Sequence, residues 1–239
     1  MDITCTVAVV AYQGVLADET EAFRFVLSRL PGAHLITVGA RRGTVAGPGG
    51  VQVVDVAFDE MGSPDIVALP GGLGCHLRTE VAAWLRTISP AWLLTSSTGS
   101  ALLATAGMLD DKTAATHWLA GSILESHGAH PSPDRVVVNG SLITCAGRVS
   151  AYGAALVVAR AVGGPLLVES IRRELSEAAE GTEGEATARR WPWWPRRRKV
   201  IREPVTDLPS AETVMVVELR ESDPPEPRSL TARRRRRPR

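Results

Sequence analysis

The chain has 239 residues, enough for one hydrophobic core of ordinary size and few for two separate domains. Its formal net charge of +1 hides an asymmetry, because residues 1–188 carry 12 Lys and Arg against 19 Asp and Glu, whereas residues 189–239 carry 15 against 7. The three cysteines, Cys5, Cys75 and Cys145, are odd in number and far apart, which argues against a disulfide framework.

The sequence lacks the usual targeting and membrane signals. Its N-terminus, "MDITCTVAVV", has neither a positively charged region nor a cleavage-type site, so no signal peptide is expected. The best apolar stretch, residues 151–171, contains Arg160 and a Gly-Gly-Pro break, so no transmembrane segment is expected either. We therefore expect a cytoplasmic protein.

The first half of the chain alternates short apolar runs with helical patterns. In chain order, the pattern predicts a strand at "ITCTVAVVAY", a helix at "VLADETEAFRFVLSRL", a strand at "HLITVGA", a strand or hairpin arm at "VQVVDVAFDEM", a strand at "DIVALPGG" and a helix at "EVAAWLRTI". The nearly continuous Val, Ile and Leu of these strands is typical of strands that are covered on both faces of a sheet.

The same alternation continues towards residue 180. It predicts a strand at "AWLLTS", a helix at "GSALLATAGML", a hairpin at "DRVVVNGSLITCAG" with its turn at Asn139-Gly140, and helices at "SAYGAALVVARAVGG" and "LLVESIRRELSEAAE". Strand-helix alternation indicates the α/β class. The expected fold of residues 1–180 is a flavodoxin-like three-layer sandwich, a mostly parallel sheet with helices on both faces.

Residues 181–239 form a low-complexity tail rich in Arg, Pro and Trp, and we predict that it is disordered, with "ETVMVVEL" as one candidate edge strand. Its basic runs and tryptophans would suit nucleic acid or an anionic membrane surface. The favoured interpretation is a solvated extension without a dedicated partner. Two successive amphipathic helices are missing from this stretch, which argues against a helix-turn-helix regulator.

Three predicted loops should meet at one edge of the sheet, because ligand crevices of such folds lie beyond the carboxyl ends of the strands. The loops are residues 14–19, 70–74 and 95–99. The last of them, "TSSTG", matches a strand-to-helix turn that lifts its central side chain, here Ser97, out of the sheet. The alternative is that Ser97 only caps the next helix.

The other two loops also allow two interpretations each. Pro70-Gly71-Gly72 lets backbone amides approach a ligand closely, as an oxyanion site requires, but it is also an ordinary turn after a strand. Glu19 is either a general acid or base facing the crevice or a residue that caps the amides of the first helix.

Together these stretches resemble the ThiJ/PfpI family, which has a class I glutamine amidotransferase-like fold. The resemblance spans residues 7–164 and rests on Gly14 followed by Glu19-Thr20, on "DIVALPGG", on "SSTGSALLATAGMLDDKTAATHW" and on "RVVVNGSLITCAG". The stretch "TGSALLATAGMLDDKTAATHW" is most similar to the isonitrile-hydratase-like branch.

The resemblance implies a set of site residues. In the family the turn residue is a cysteine whose thiolate is hydrogen-bonded to an acidic residue of the first loop. Carried over, these positions are Ser97 and Glu19, the oxyanion donors are the amides of Gly72 and Thr98, and the family histidine is His117.

Two positions depart from the family pattern. Ser97 replaces the cysteine, and a serine hydroxyl needs a general base within hydrogen-bond reach, for which His117 or Glu19 are the candidates. Gly153 stands where the hydratase-like branch usually has an acidic residue, which weakens the transfer of a substrate.

The resemblance implies a hydratase or hydrolase that acts on a small molecule, with a catalytically silent ligand-binding or regulatory protein as the alternative. It also implies a homodimer. No cofactor is expected, and no metal is expected because His76, His127 and His130 lack ligand spacing and supporting Cys or carboxylate groups.

Overall fold

The computed structural model describes residues 4–181 and 214–216. Its strands are β1 (Cys5–Val10), β2 (Ala33–Gly39), β3 (Gly43–Gly47), β4 (Gly50–Val54), β5 (Val56–Ala57), β6 (Ile66–Leu69), β7 (Trp92–Ser96), β8 (Thr113–Ala115), β9 (His130–Ser132), β10 (Val136–Asn139), β11 (Leu142–Cys145) and β12 (Val214–Val216). Its α-helices are α1 (Ala17–Leu27), α2 (Thr79–Leu85), α3 (Gly99–Thr105), α4 (Gly121–Ser126) and α5 (Arg148–Gly181).

Within the described residues, the main sheet has eight strands in the order β12-β10-β11-β7-β6-β1-β2-β5. The pairs from β11 to β5 are all parallel, and β10 is antiparallel to both of its neighbours. Parallel neighbours require crossover connections, and these contain α1 between β1 and β2, α2 between β6 and β7, and the β3–β4 hairpin between β2 and β5. The mostly parallel α/β sheet predicted from the alternation is thus confirmed.

Hydrophobic clusters cover both faces of the sheet. Successive residues of β1 point to opposite faces, so that Val7 and Val9 pack with α1 and α5, whereas Ala8 and Val10 pack with α2, α3 and α4. This explains the unbroken apolar run of β1, since a strand covered on both sides has no solvent-facing position. Phe23 of α1 and Leu102 of α3 are fully buried on the two sides.

In the part of the chain that the structure describes, two small sheets stand outside the main one. β3 and β4 form an antiparallel hairpin, and β8 pairs in parallel with β9. The prediction of a strand or hairpin arm at "VQVVDVAFDEM" corresponds to β4 followed by the two-residue β5. The sequence pattern did not predict β3, β8, β9 or α4, which are short and lack a clear period.

The two helices predicted after residue 150 form a single element, α5, with a kink between them. Gly164 has non-helical backbone angles, φ 77° and ψ −178°, and Pro165 follows it. A positive φ is accessible to glycine at little cost, and proline cannot donate the helical hydrogen bond, so both residues favour a break here.

Part of α5, Arg148–Glu177, is long and apolar enough to cross a membrane by length and composition alone. A helix of a protein core meets the same criteria. Ala151, Ala155 and Val158 of this helix are fully buried in the cluster shared with α1.

The C-terminal tail predicted from residue 181 onwards lies outside the described residues, except for Gly181, which ends α5, and for β12. β12 pairs antiparallel with β10 at the edge of the main sheet, as suggested by "ETVMVVEL". The predicted disorder of the other tail residues remains a prediction.

Small residues at the start of α3 allow this helix to pass close to the ends of β6 and β7. A Cβ atom placed on Gly99 would overlap Thr95 Oγ1 and would lie 3.0 Å from the carbonyl oxygen of Leu69. The Leu69 carbonyl belongs to the backbone and the Thr95 hydroxyl donates to it at 3.0 Å, so neither group has much freedom to move.

We therefore expect Gly99→Ala to lower the free energy of unfolding by about 1–3 kcal/mol through overpacking. Urea denaturation followed by circular dichroism measures this change. Gly62→Ala is the matched control, since a Cβ on Gly62 meets no atom within 4 Å. Equal stability of the two variants would contradict the close packing described here.

Candidate active site

The three loops predicted to converge do meet at the carboxyl edge of the sheet. The amide of Leu16 donates to the carbonyl of Gly71 at 2.9 Å, and Val15 forms an isolated antiparallel bridge with Gly72. The amide of Gly72 in turn donates to the Thr98 hydroxyl at 3.0 Å. Hydrogen bonds therefore connect all three loops directly.

Ser97 occupies the turn between β7 and α3 in a left-handed conformation, with φ 54°. Such an angle is uncommon for a residue other than glycine and marks a sharp change of chain direction. The Ser97 amide donates to the Cys145 carbonyl at 2.8 Å, which ties the turn to the end of β11. The residue is only 4% exposed.

Neighbouring hydroxyl groups stabilise this turn. The Ser97 carbonyl accepts a hydrogen bond from Thr116 Oγ1 at 3.1 Å, and it shares the single Ser100 hydroxyl proton, also at 3.1 Å, with Thr116. Ser100 and Thr116 also bond each other at 2.6 Å. The abundance of small hydroxyl residues in and after "TSSTG" therefore has a structural role, besides any role of Ser97 itself.

Glu19 lies in the first turn of α1 and is 3% exposed. Its Oε2 accepts hydrogen bonds from the Gly71 amide at 2.8 Å and from Ser96 Oγ at 2.6 Å. Gly71 separates this carboxyl group from Ser97, since a Cβ on Gly71 would lie 2.9 Å from Glu19 Oε2 and 2.8 Å from Ser97 Cβ. The structure thus brings Glu19 and Ser97 together.

Burial raises the pKa of the Glu19 carboxyl group above its ordinary value, because the charged form loses water. Hydrogen bonds from Ser96, the Gly71 amide and, more weakly, the Ser97 side chain oppose this rise, while the nearby Asp18 adds to it. The result is a carboxyl group that holds its proton to higher pH than a free glutamate, beside a serine hydroxyl.

Gly72 and Thr98, the two expected oxyanion donors, bond each other. The Gly72 amide donates to Thr98 Oγ1 at 3.0 Å, and the same hydroxyl donates to the Gly72 carbonyl at 2.9 Å. The Thr98 hydroxyl thus occupies the Gly72 amide in this structure. Thr98 precedes the first residue of α3, where backbone amides lack helical partners.

His117 is joined to Ser97 through the backbone, because its amide donates to the Ser97 carbonyl at 3.3 Å. Its ring forms a hydrogen bond with a nearby residue of the chain, because Nδ1 accepts from the Leu119 amide at 3.3 Å. A neutral ring that accepts at Nδ1 carries its proton on Nε2. In this tautomer neither ring nitrogen offers a free lone pair to Ser97, so Glu19 is the better placed of the two candidate bases.

Two further side chains lie under the crevice and were not singled out as site residues. Tyr12 donates its hydroxyl to the Pro70 carbonyl at 2.8 Å, and the Cys75 thiol donates to the Thr98 carbonyl at 2.8 Å. Burial raises the pKa of both the Tyr12 hydroxyl and the Cys75 thiol. Cys75 is therefore a buried thiol that packs as a small hydrophobic side chain.

Ser96 is the residue of the site that the sequence analysis missed. It ends β7, where alternation turns its side chain to the α1 side of the sheet rather than into the crevice. A hydroxyl at the last position of a strand buried on both faces was the available signal, since a buried polar group requires a partner.

The residues of this site fall within a stretch that matches a known family. The model of the DJ-1/PfpI family matches residues 6–160. The isonitrile hydratase of Pseudomonas putida is 31% identical to this chain over 159 residues, which cover 64% of this chain and 70% of that protein.

Solved structures with a similar fold include two that cover most of the described residues. A ThiJ/PfpI family protein from Pseudomonas syringae has a TM-score of 0.69 and 21% sequence identity to this chain. The match covers 73% of this chain and 75% of that protein's chain. DJ-1beta of Drosophila melanogaster has a TM-score of 0.65 and 23% sequence identity to this chain. The match covers 72% of this chain and 98% of the DJ-1beta chain. Both confirm the flavodoxin-like arrangement of the sheet and helices.

The hydrogen bond from Ser96 predicts the effect of removing it. Because this bond favours the charged form of Glu19, we expect Ser96→Ala to raise the pKa of the Glu19 carboxyl group further and to lower the free energy of unfolding by about 1–3 kcal/mol. Carbon-detected NMR titration of the glutamate side chains measures the pKa. Ser126→Ala, at an exposed serine, is the control, and an unchanged Glu19 titration in Ser96→Ala would refute the assignment.

Proposed function

This chain belongs to the DJ-1/PfpI family, and from that membership we propose that it is a hydratase or hydrolase of a small molecule, similar in reaction type to isonitrile hydratase. The observation that carries the proposal is the buried Glu19 carboxyl group, with its raised pKa, next to Ser97 in its left-handed turn. A proton donor and a hydroxyl side by side at the edge of a sheet suit the addition of water to a polarised carbon.

In this proposal Glu19 is the acid and base. Its carboxyl group gives a proton to the substrate as water bonds to the polarised carbon, and the carboxylate then takes a proton from that water. The carbon gains a hydroxyl group, the substrate gains a hydrogen, and Glu19 returns to its starting state. Ser97 holds this water, or it reacts first: Glu19 takes the hydroxyl proton as Ser97 Oγ bonds to the carbon. In the second case water then displaces the Ser97 oxygen from the carbon, and that oxygen takes a proton back from Glu19.

Stabilisation of a developing negative charge falls to the amides of Gly72 and Thr98. The Gly72 amide donates to the Thr98 hydroxyl here. It can donate to the substrate only after this hydrogen bond has broken. His117 has a supporting role in the proposal, holding the Ser97 carbonyl through its amide.

A catalytically silent, ligand-binding or regulatory protein is the second candidate. The observation in its favour is that Ser97 is nearly inaccessible and that its turn is stabilised by hydrogen bonds with no need for a reaction. With serine at the position where the resemblance implies cysteine, the easily ionised thiol is missing as well, since a thiol has an unperturbed pKa of about 8.5 and a serine hydroxyl is far less acidic.

Three further properties belong to the same proposal. The protein acts in the cytoplasm on a small molecule, and it forms a homodimer. Its basic tail, residues 189–239, either has no dedicated partner or binds an anionic surface. Sedimentation velocity of the full chain tests the dimer.

Turnover of an isonitrile distinguishes the two candidate functions. If the protein is a hydratase, the wild type converts the isonitrile to the N-substituted formamide, and Ser97→Ala loses most of this activity. If the protein is silent, the wild type shows no turnover, whereas Ser97→Cys gains both hydratase activity and a peroxide-sensitive thiol. Gas chromatography of the product measures the first result, and thiol labelling before and after peroxide measures the second.

The raised pKa of Glu19 sets the expected pH dependence. The protonated carboxyl group is the acid, so kcat/KM should fall as pH rises through this pKa, above the ordinary glutamate range. Glu19→Gln keeps an oxygen that accepts from Gly71 and Ser96 but has no proton to transfer, so its kcat should fall by about 10²–10⁴. A wild-type profile that is flat across the carboxyl range would exclude Glu19 as the acid.

A further inference from the structure

Four large apolar side chains are exposed next to the candidate site. Leu73 and Leu77 belong to the loop after β6, and Trp118 and Leu119 belong to the loop after β8. Trp118 is 79% exposed, and the three leucines are 59–68% exposed. We call these four residues the apolar rim. Single exposed apolar residues are ordinary, whereas a group of them beside a crevice indicates a surface that binds something.

Hydrogen bonds attach both loops of the apolar rim to the Ser97 turn. The Cys75 thiol, from the loop after β6, donates to the Thr98 carbonyl at 2.8 Å. The His117 amide, from the loop after β8, donates to the Ser97 carbonyl at 3.3 Å. Ser97 and Thr98 are consecutive, so their Cα atoms are about 3.8 Å apart. The two parts of the apolar rim are therefore fixed at neighbouring residues of the turn that carries the candidate nucleophile.

Two short 3₁₀ turns hold the rim side chains outwards. The turn Cys75–Leu77 begins with a buried residue and ends with an exposed one. The turn Trp118–Ala120 begins with two exposed residues and ends with a buried one. Each turn is thus anchored in the core by one residue and presents apolar surface to water. Since hydration of apolar surface is unfavourable, a ligand that covers these side chains gains free energy of binding.

The polar groups of the site lie behind this apolar border. Glu19 and Ser97 are buried, and the two loops, residues 70–78 and 116–121, contain no acidic residue and one permanently charged residue, Arg78. A mostly apolar border with a few polar groups is typical of small-molecule sites. A specific protein interface takes about 20–30 residues from each partner, so four residues suit a small ligand better than a second protein.

We propose that the apolar rim binds the apolar substituent, an alkyl or aryl group, of a small molecule whose polar group lies at Glu19 and Ser97. The rim side chains contact the ligand and favour larger apolar substituents over small ones, and they transfer no proton. That the same molecule reacts at Glu19 and Ser97 rests on the proposed function. Its binding does not.

Two neutral formamides test the proposal with the full-length protein. N-benzylformamide carries an aryl substituent, and N-methylformamide carries only a methyl group. Ligand-detected NMR titration measures both dissociation constants. We expect N-benzylformamide to bind at least tenfold more tightly, because it removes apolar surface of the rim from water. Trp118→Ser and Leu77→Ser should each weaken its binding about three- to tenfold and leave that of N-methylformamide unchanged, a difference that loss of folding cannot imitate.

Leu166→Ser is the matched control, because Leu166 is 84% exposed and lies beyond the kink of α5. It should bind both formamides like the wild type. The proposal is overturned if neither formamide binds, if both bind equally, or if Leu166→Ser weakens N-benzylformamide as much as Trp118→Ser does.

Sedimentation velocity distinguishes a second copy of the chain as the occupant of the rim. If Trp118→Ser and Leu77→Ser dissociate a dimer but bind N-benzylformamide like the wild type, the rim is an interface between copies and the proposal is wrong. Because binding is measured without turnover, the two proposals can fail separately. A protein that binds N-benzylformamide at the rim but converts no isonitrile contradicts only the hydratase proposal.

Discussion

The buried carboxyl group of Glu19 is the interaction on which the arrangement of the site depends. A carboxyl group loses favourable hydration on burial, so it requires hydrogen bonds from its surroundings. Those bonds come from the Gly71 amide, after β6, and from the Ser96 hydroxyl, at the end of β7. One side chain from α1 therefore determines how two loops that are distant in sequence lie against each other. The backbone bond between Leu16 and Gly71 strengthens the same contact.

The same burial gives the site its chemical character. Desolvation makes Glu19 a proton donor over a wider pH range than an exposed glutamate, and Gly71, having no side chain, allows Ser97 to lie next to it. In the proposed hydratase, a structural requirement and a catalytic one coincide in this group. The Glu19 carboxyl group accepts from Gly71 and Ser96 and not from the amides of α1, so its structural role is to join loops and not to cap its helix.

Much of the fold could be predicted because its signals are local. Strands buried on both faces, such as β1, appear as unbroken apolar runs, and parallel strands must end at a common edge, which correctly brought residues 14–19, 70–74 and 95–99 together. The details depended on tertiary contacts. The role of Ser96 follows from a carboxyl group 77 residues away, and the Thr98–Gly72 pair forms only once two loops have docked.

Thr98 illustrates how little movement would alter this crevice. Its hydroxyl both accepts from the Gly72 amide and donates to the Gly72 carbonyl, so a single χ1 torsion controls two backbone groups. Threonine has three staggered rotamers, and exchange between rotamers at a partly exposed position is rapid compared with loop rearrangement. A change of rotamer would place the γ-methyl group of Thr98 where its oxygen lies now. The Gly72 amide would then be a donor without its present acceptor. One bond rotation of Thr98 would thus free both backbone groups of Gly72 without displacement of the main chain.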